Sequence, residues 1–397
     1  MNRIIILILA FFSFFTLKVN ANQTFSQKKV PVIHLKGDGY QRGLQHGSQL
    51  KKEIGEVFKK WKESVKKDTG KDADYVIQDF LKTSNYLTAI KQWTPDIYDE
   101  IRGIAEGSNQ SLDDVLAFQM IDEYWGYLDR LEHNSVDKDH CSAIGVARTK
   151  NSPTFVSQNI DIDSYMDGYQ VLLHIEKSKN TPEQFIMTCA GYLGFAGMNK
   201  NVALAINALT DLNNSVDGLP VPFVTRGILQ QKSGKAAIDF VHQIKHATGQ
   251  NYLIGTNKQV YTFEASANQV VEFRPKQNNQ LVYHTNHSLE NHDVKPWMEK
   301  YHQMILSGEK LKGNSITRME SLSNQIDRLS SLPTTTDAKQ ILRSKEDEKF
   351  PICVTLKEGA PAFTFSSVIF TLGKKPSAEV TYGSPDQSDY QIHYLNN

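Results

Sequence analysis

Hydrophobic residues in the first third of the chain recur every three or four positions, with lysines and glutamates between them. This spacing is typical of helices with one apolar face. Thr94 followed by Pro95 marks a helix start, and Ser111 with Asp114 has the spacing of a capping box. The pattern therefore predicts four helices, over residues 50–65, 75–90, 95–107 and 111–121.

From residue 141 onwards the pattern changes to short β-rich runs that turn-forming residues separate. Strands are predicted over 143–147, 154–158, 170–175, 184–189, 202–207, 252–255, 260–264, 270–273, 281–285, 363–372, 379–382 and 390–394. Helices are predicted over 223–231, 235–245 and most of 296–343. Two blocks of strands with helices between them favour an α+β fold, in which two sheets pack face to face under layers of helices.

The first residues have the three-part layout of a secretory signal peptide. Arg3 precedes an apolar run over 4–17, and Val19-Asn20-Ala21 is a small-x-small cleavage site. An uncleaved anchor helix is the alternative, but the run is shorter than the about 20 residues that a membrane span needs. We therefore expect a cleaved signal peptide at 1–21 and no stable membrane anchor. The mature protein would be secreted or periplasmic, or lysosomal or extracellular if the host is eukaryotic.

Composition narrows the possible partners. The chain has 44 basic and 44 acidic residues, so its formal net charge is zero and nothing favours a nucleic-acid partner or an anionic membrane surface. Its three cysteines, an odd number in an exported protein, leave at least one thiol outside a disulfide. No Cys or His spacing resembles a zinc site, and the sequence predicts neither a metal nor another cofactor.

Cys141 lies where the helical pattern changes to strands, with polar residues before it and an apolar strand after it. A lone cysteine in such a place is most often a small buried hydrophobic residue. A thiol at a strand start has a second possible use, because it can attack the preceding carbonyl and cut the chain there. The cut would leave Cys141 with a free α-amine, whose ordinary pKa of about 7.7–8.0 suits a general base at neutral pH.

A series of short motifs surrounds Cys141 in the sequence. In chain order they contain Gly37, Gly39, Tyr40, Arg42, Gly43, His46 and Gly47; Asp139, His140, Cys141, Ser142 and Ala143; Gln158, Asn159, Ile160 and Asp161; Ala205 to Leu209; Thr285, Asn286 and His287; Ser366 to Ile369; and Thr381 to Pro385. With these motifs the sequence resembles the isopenicillin-N acyltransferase family, a branch of the N-terminal-nucleophile hydrolases that cut themselves before a cysteine. The order and rough spacing agree from about His34 to Pro385.

The resemblance implies an αββα sandwich, in which two helical layers enclose two antiparallel sheets. It also implies a precursor that yields a helical light chain, Asn22 to His140, and a heavy chain, Cys141 to Asn397, which together form one domain. One residue departs from the family pattern, because the family most often has glycine before the nucleophile and this chain has His140. Glycine permits strained backbone, so the difference bears on how efficiently the bond between His140 and Cys141 is cut.

The resemblance also implies catalytic roles for three residues. Cys141 is the nucleophile, Asp161 holds the free amine or the substrate, and Asn286 contributes to the oxyanion hole. Asp163 and Asp167 are close enough in sequence to substitute for Asp161.

Three further residues are predicted to bind the substrate, namely Asn159, Asn207 and Arg226. Asn207 is the weaker alternative for the oxyanion site, and Arg226 resembles a pocket-wall element of the family. The family also uses a substrate-contacting arginine in the last third of the chain, where Arg318 and Arg343 are both candidates.

We therefore expect an exported enzyme that processes itself and acts on the amide bonds of N-acylated small molecules through an acyl-cysteine intermediate, by hydrolysis or by acyl transfer. One alternative is a conventional cysteine hydrolase that stays intact and pairs Cys141 with His46, His284 or His287. We expect His46 to be structural, because a glycine-flanked histidine beside a helix start commonly satisfies backbone groups. Another alternative is an exported binding protein of the same fold without catalysis.

Overall fold

The structure is a computed structural model that describes residues 28–131, 141–275, 279–308 and 313–396. The predicted signal peptide, Asn22 and His140 lie outside these ranges, and the division into light and heavy chains stays a prediction. Within the described ranges, no helix has both the length and the apolar character that a membrane crossing requires.

The described residues before Cys141 form one strand and a layer of helices. In chain order these are β1 (Val32–Leu35), α1 (Gly39–Gln49), α2 (Lys51–Thr69), α3 (Ala73–Lys82), α4 (Tyr86–Trp93), α5 (Pro95–Ser108), α6 (Leu112–Phe118) and α7 (Ile121–Arg130). The helix predicted over 75–90 is two helices with a break at 83–85, and the one predicted over 111–121 is likewise two. The sequence pattern missed β1 and α1, because α1 contains three glycines and few apolar residues.

Glycines allow α1 and α5 to pack with their backbones in contact. A Cβ atom on Gly43 would lie 1.9 Å from the Glu100 carbonyl oxygen, and one on Gly103 would lie 2.2 Å from the Tyr40 carbonyl oxygen. No side chain fits in these gaps. The glycine-rich motif at 37–47 is therefore explained by the packing of two helices.

A buried charge cluster joins this helix pair to a third helix. Arg226 binds both carboxylate oxygens of Glu100, at 2.7 and 2.9 Å, and Arg42 Nε donates to Glu100 at 2.9 Å. Burial raises the pKa of Glu100, but the charges of Arg226 and Arg42 outweigh burial and lower it to about 2. Because removing one partner would leave a buried charge uncompensated, these three residues are strongly coupled.

The described residues from Cys141 onwards contain most of the strands. The strands are β2 (Ser142–Val146), β3 (Phe155–Asp163), β4 (Gln170–Ile175), β5 (Gln184–Cys189), β6 (Ala196–Met198), β7 (Val202–Ala208), β8 (Gln250–Thr256), β9 (Val260–Ala265), β10 (Val270–Glu272), β11 (Leu281–His284), β12 (Ala362–Thr371), β13 (Ser377–Val380) and β14 (Gln391–Tyr394). The helices are α8 (Val221–Leu229), α9 (Gly234–Gln243), α10 (Pro296–Leu306), α11 (Asn314–Asp327) and α12 (Thr335–Leu342), with a 3-10 turn at Ser164–Met166.

The strands form two sheets that pack face to face. One has eight strands in the order β1-β4-β5-β6-β7-β8-β9-β10, and the other has six in the order β11-β2-β3-β12-β13-β14. Between them, Gly145 of β2 approaches Leu253 of β8, and Gly255 of β8 approaches Val156 of β3. On the outer face of the six-stranded sheet, α11 and α12 cover a separate apolar cluster. The predicted αββα sandwich is confirmed.

One strand pairing differs from the two antiparallel sheets that the family resemblance implied. β1 runs parallel to β4, with Val32 opposite Leu172, whereas the other strand pairs are antiparallel. No hairpin connects β1 to β4, so chain connectivity does not impose an antiparallel direction. The segment before Cys141 therefore contributes a strand to the eight-stranded sheet.

Candidate active site

The Cys141 thiol lies at the end of the sandwich where β2 begins and β3 ends. Ser142 of β2 is opposite Asn159 of β3, which brings Cys141 beside the last residues of β3. The backbone N–H of Asp161 donates to Cys141 Sγ at 3.4 Å, and Sγ lies 3.7 Å from the Asp161 carbonyl oxygen. Cys141 is only partly buried, so its sulfur is held in place and not enclosed by the core.

Arg318 of α11 connects Cys141 to the loop after β11. Its guanidinium donates to the Cys141 carbonyl oxygen at 2.6 Å, to Ser142 Oγ at 2.9 Å and to Asn286 Oδ1 at 3.0 Å. Its Nε donates to Asn314 Oδ1 at 2.6 Å. Arg318 is fully buried, so its planar fork fixes the thiol-bearing residue and Asn286 relative to each other.

Asn286 is held through both its backbone and its side chain. Its backbone N–H donates to Ser315 Oγ at 2.6 Å, and its Nδ2 donates to the Ala208 carbonyl oxygen at 3.1 Å. The side-chain amide has two hydrogens, and Ala208 accepts one of them. The second is a further side-chain donor, whereas the backbone N–H is already engaged by Ser315.

Glu264 organises the loop that carries Asn286. Its carboxylate accepts hydrogen bonds from His284 Nε2 at 2.7 Å and from the backbone N–H groups of three successive loop residues at 2.7–2.9 Å: Leu289, Glu290 and Asn291. Burial alone would raise the pKa of Glu264, but the hydrogen bonds outweigh burial and the pKa lies below its ordinary value. Glu264 is therefore a charged anchor for the backbone after β11.

Asp161, whose backbone contacts the thiol, has a buried carboxyl group. It is 5% exposed, and neither carboxylate oxygen makes a hydrogen bond of ordinary geometry to a described residue. Burial raises its pKa to about 7, although the hydroxyl of Thr364, opposite it on β12, and the charge of Arg318 act in the other direction. A buried carboxyl with unused acceptors lies where a cationic partner would stabilise it.

We expect Asp161→Asn to stabilise the uncleaved protein at high pH and not at low pH. In the folded chain the raised pKa keeps the proton on Asp161 up to about pH 7, whereas the unfolded chain releases it near 3.8. The contribution of the protonated Asp161 side chain to the free energy of unfolding is therefore fully present below pH 3.8 and is lost as the pH rises through about 7. Asparagine does not ionise, so the Asp161→Asn variant does not lose stability in this way as the pH rises.

The measurement is urea unfolding between about pH 4 and pH 8, with Cys141→Ala as the common background so that the chain stays intact. The midpoints of the two proteins should agree at the acid end and separate towards neutral pH, where the protein that retains Asp161 should be the less stable. A difference that does not vary with pH would show that Asp161 is not a buried titrating group.

The three predicted substrate-binding residues are all buried in the protein interior. Asn159 Nδ2 donates to the carbonyl oxygens of Leu342 and Ile352, at 2.8 and 2.9 Å. Asn207 accepts from Asn251 Nδ2 at 3.0 Å within the eight-stranded sheet, and its Nδ2 donates to the His284 carbonyl oxygen of the six-stranded sheet at 3.5 Å. Arg226 binds Glu100 in the helical layer. These contacts give each residue a structural role, and direct contact of any of them with substrate stays a prediction.

All three histidines considered as partners for Cys141 have other partners. His46 Nε2 accepts from the Gly191 N–H at 3.0 Å, and its burial lowers its pKa to about 4, so its predicted structural role is confirmed. Both ring nitrogens of His284 are bonded, to Glu264 and to the Thr285 carbonyl oxygen. His287 Nδ1 lies 2.8 Å from Ser315 Oγ, in the same loop as Asn286.

Asp163, a sequence alternative to Asp161, is the last residue of β3. Asp163 lines a cleft of about 800 Å³ beside the end of β3, together with Tyr165 and Leu356.

Cys189 and Cys353 are buried and form no disulfide, and burial raises the pKa of both thiols. Within the described ranges, no group of three or more His, Cys, Asp or Glu side chains could hold a metal ion.

Arg318 is the site residue that the sequence could not select. The sequence offered Arg318 and Arg343 equally, because neither lies in a distinctive motif. Arg343 Nε donates to the Pro385 carbonyl oxygen, at 2.8 Å. Only the packing of α11 against the start of β2 distinguishes the two arginines.

The two sheets packed face to face and their helical layers form the αββα sandwich of the N-terminal-nucleophile hydrolase type. The sequence model of the acyl-coenzyme A:6-aminopenicillanic acid acyl-transferase family matches residues 147–387, more than half of the chain. The chain therefore belongs to this family of acyltransferases and amidohydrolases. The match includes Asp161, Asn286 and Arg318, and it begins shortly after Cys141.

Individual proteins are similar to the chain over different lengths. The acyl-coenzyme A:6-aminopenicillanic-acid-acyltransferase 40 kDa form of Emericella nidulans is 26% identical over 353 residues, which cover 87% of this chain and 91% of that protein. Protein dcd1B of Dictyostelium discoideum is 23% identical over 238 residues, 51% of this chain and 43% of that protein. Among solved structures, the Caenorhabditis elegans ortholog of N-acylethanolamine-hydrolyzing acid amidase is 13% identical with a TM-score of 0.39, covering 64% of this chain and 100% of that one.

Proposed function

We propose that the chain is an exported amidohydrolase that cuts itself before Cys141 and then uses the Cys141 thiol to cleave N-acyl amides. The observation that carries the proposal is the convergence of three groups on the start of β2. These are the partly exposed thiol, Asp161, whose backbone contacts the sulfur and whose carboxyl is buried, and the Arg318–Asn286 pair. Nucleophile, charge partner and oxyanion donor are the groups that acyl transfer requires.

Self-cleavage begins with attack of the Cys141 sulfur on the carbonyl carbon of His140. A carbon–sulfur bond forms, the carbon–nitrogen bond breaks, and the thiol proton passes to the departing nitrogen. Water then hydrolyses the thioester, which releases the upstream chain as a carboxylate and regenerates the thiol. The new α-amine is produced at Cys141, close to the Asp161 backbone, where the carboxylate can act as its counter-charge.

The same groups then act on substrate. The amine takes the thiol proton while sulfur attacks the acyl carbon, and it later donates that proton to the leaving nitrogen. The side-chain N–H of Asn286 would stabilise the oxyanion, and Arg318 would keep Asn286 oriented. Water accepts the acyl group in the second half-reaction.

We propose N-acylated small molecules as the substrate class, and hydrolysis as the usual outcome. Acyl amino acids, acyl-homoserine lactones, β-lactam side chains and acylated peptides all contain the required bond. The Emericella relative is named as an acyltransferase that involves acyl-coenzyme A, so transfer to an acceptor amine is the alternative outcome. Free acyl-coenzyme A is scarce outside the cytoplasm, which favours water as the acceptor in an exported protein.

The test of processing is a denaturing gel of freshly purified active protein, followed by N-terminal sequencing of each band. We expect two fragments, the larger one beginning at Cys141. The fragments should separate only under denaturing conditions, because β1 pairs with β4 and buried ion pairs join Glu100 to Arg226. A single intact chain with full activity would contradict self-cleavage and favour a conventional cysteine hydrolase.

A further inference from the structure

Four turns from both sheets enclose a groove at the end of the sandwich opposite Cys141. They connect β2 to β3, β6 to β7, β8 to β9 and β12 to β13, and the groove has a volume of about 790 Å³. Cys141 lies just before β2, and the groove lies just after the end of β2. The length of this strand therefore separates Cys141 from the groove by roughly 17 Å. The groove is therefore distinct from the site around the thiol.

The groove has a concentrated positive charge. Five basic side chains line it, and all are exposed: Arg148, Lys150, Lys200, Lys374 and Lys375. No Asp or Glu is among the described residues that line it, and none of the five basic side chains forms an ion pair with a described residue. The zero net charge of the chain thus conceals a local excess of cations, which attracts anions to this surface.

Most of the other lining side chains are neutral hydrogen-bonding groups, three are apolar (Pro153, Leu372 and Pro376), and none is aromatic. Thr149 Oγ1 and Ser152 Oγ lie 2.9 Å apart in the first turn, and Asn257 Nδ2 donates to Asn201 Oδ1 at 3.1 Å across two others. Single-stranded nucleic acid is usually held by bases stacked on aromatic side chains, which the described lining of this groove lacks. A compact anion fits the groove better than a nucleic-acid strand.

We propose that this basic groove, defined by Arg148, Lys150, Lys200, Lys374 and Lys375, binds a ligand that carries several phosphate groups. An exposed ion pair contributes little by itself, so a singly charged ligand would gain too little from the groove. Several phosphates on one ligand can engage several lysines together, and ammonium groups bind phosphate as point charges. The ligand is either a phosphorylated lipid headgroup or a soluble polyphosphate, and the proposal does not depend on the function of Cys141.

The test is calorimetric titration of the full mature protein with sodium tripolyphosphate at low and at physiological salt. We expect binding that weakens steeply as salt increases, and a loss of at least about tenfold in affinity for Lys200→Glu/Lys374→Glu. The matched control is Lys51→Glu/Lys82→Glu, which changes the net charge equally at exposed positions of the helical layer and should bind like the parent. Circular dichroism checks that both double variants are folded.

Vesicle flotation distinguishes a lipid headgroup from a soluble polyphosphate as the ligand of the basic groove. Vesicles of phosphatidylcholine that contain phosphatidylinositol bisphosphate, whose headgroup carries several phosphate groups, are compared with vesicles of phosphatidylcholine alone, using the same three proteins. Groove-dependent flotation with the anionic vesicles supports a lipid headgroup, whereas tripolyphosphate binding without flotation supports a soluble ligand. The proposal is overturned if the parent binds neither probe, or if the groove variant and the control variant bind equally well.

Discussion

Cys141→Ala is expected to abolish both self-cleavage and amidase activity while the protein stays folded. The thiol would be the nucleophile in both reactions, and no other described cysteine is placed to replace it, since Cys189 and Cys353 are buried. The contacts of the sulfur with the Asp161 backbone are weak, so its removal should change stability little. A denaturing gel and an N-acyl amide assay on the same preparation measure both effects.

Two further variants make this result specific. Cys141→Ser should cleave slowly or incompletely, because a hydroxyl is a weaker nucleophile than a thiol. Cys189→Ala is the matched control, and it should cleave and react like the parent because Cys189 lies in the apolar core. If Cys141→Ala were still cut after His140, another protease would be responsible for the cleavage.

Asn286→Ala is expected to lower kcat by about 10²–10³-fold and to change KM far less. An oxyanion donor acts mainly on the transition state, so its loss appears in kcat. The hydrogen bonds support a side-chain role, because the backbone N–H of Asn286 already donates to Ser315 Oγ. Steady-state kinetics with a panel of N-acyl amides, on fully processed protein, measures the effect.

The matched variant is Asn286→Asp, which retains an oxygen facing Arg318 and loses the side-chain N–H donor. A large loss in both variants agrees with a missing donor, and the carboxylate of Asn286→Asp adds repulsion of the oxyanion. A loss of less than about tenfold in Asn286→Ala would exclude its side chain from the oxyanion hole. Recovery of activity in Asn286→Asp would instead assign Asn286 to the positioning of Arg318.

The sequence by itself predicted most of the strands after Cys141 and the layered fold. Strands β4 and β5 lie at the predicted residues, because buried strands are continuous apolar runs bounded by turn residues. The long amphipathic helix α2 was predicted for the same local reason. The change from helices to strands at Cys141 was also predicted from the sequence.

Only the tertiary structure decided which polar residues meet. Arg318 contacts Cys141 and Asn286 from positions far away in the chain, and no local period encodes such a contact. Arg226 resembled a pocket residue, yet it pairs with Glu100 in a buried cluster. The basic groove is invisible in a net charge of zero, because composition adds charges without regard to position. Periodicity reports which face of an element is buried, whereas the partner of a buried or clustered charge depends on how distant elements pack.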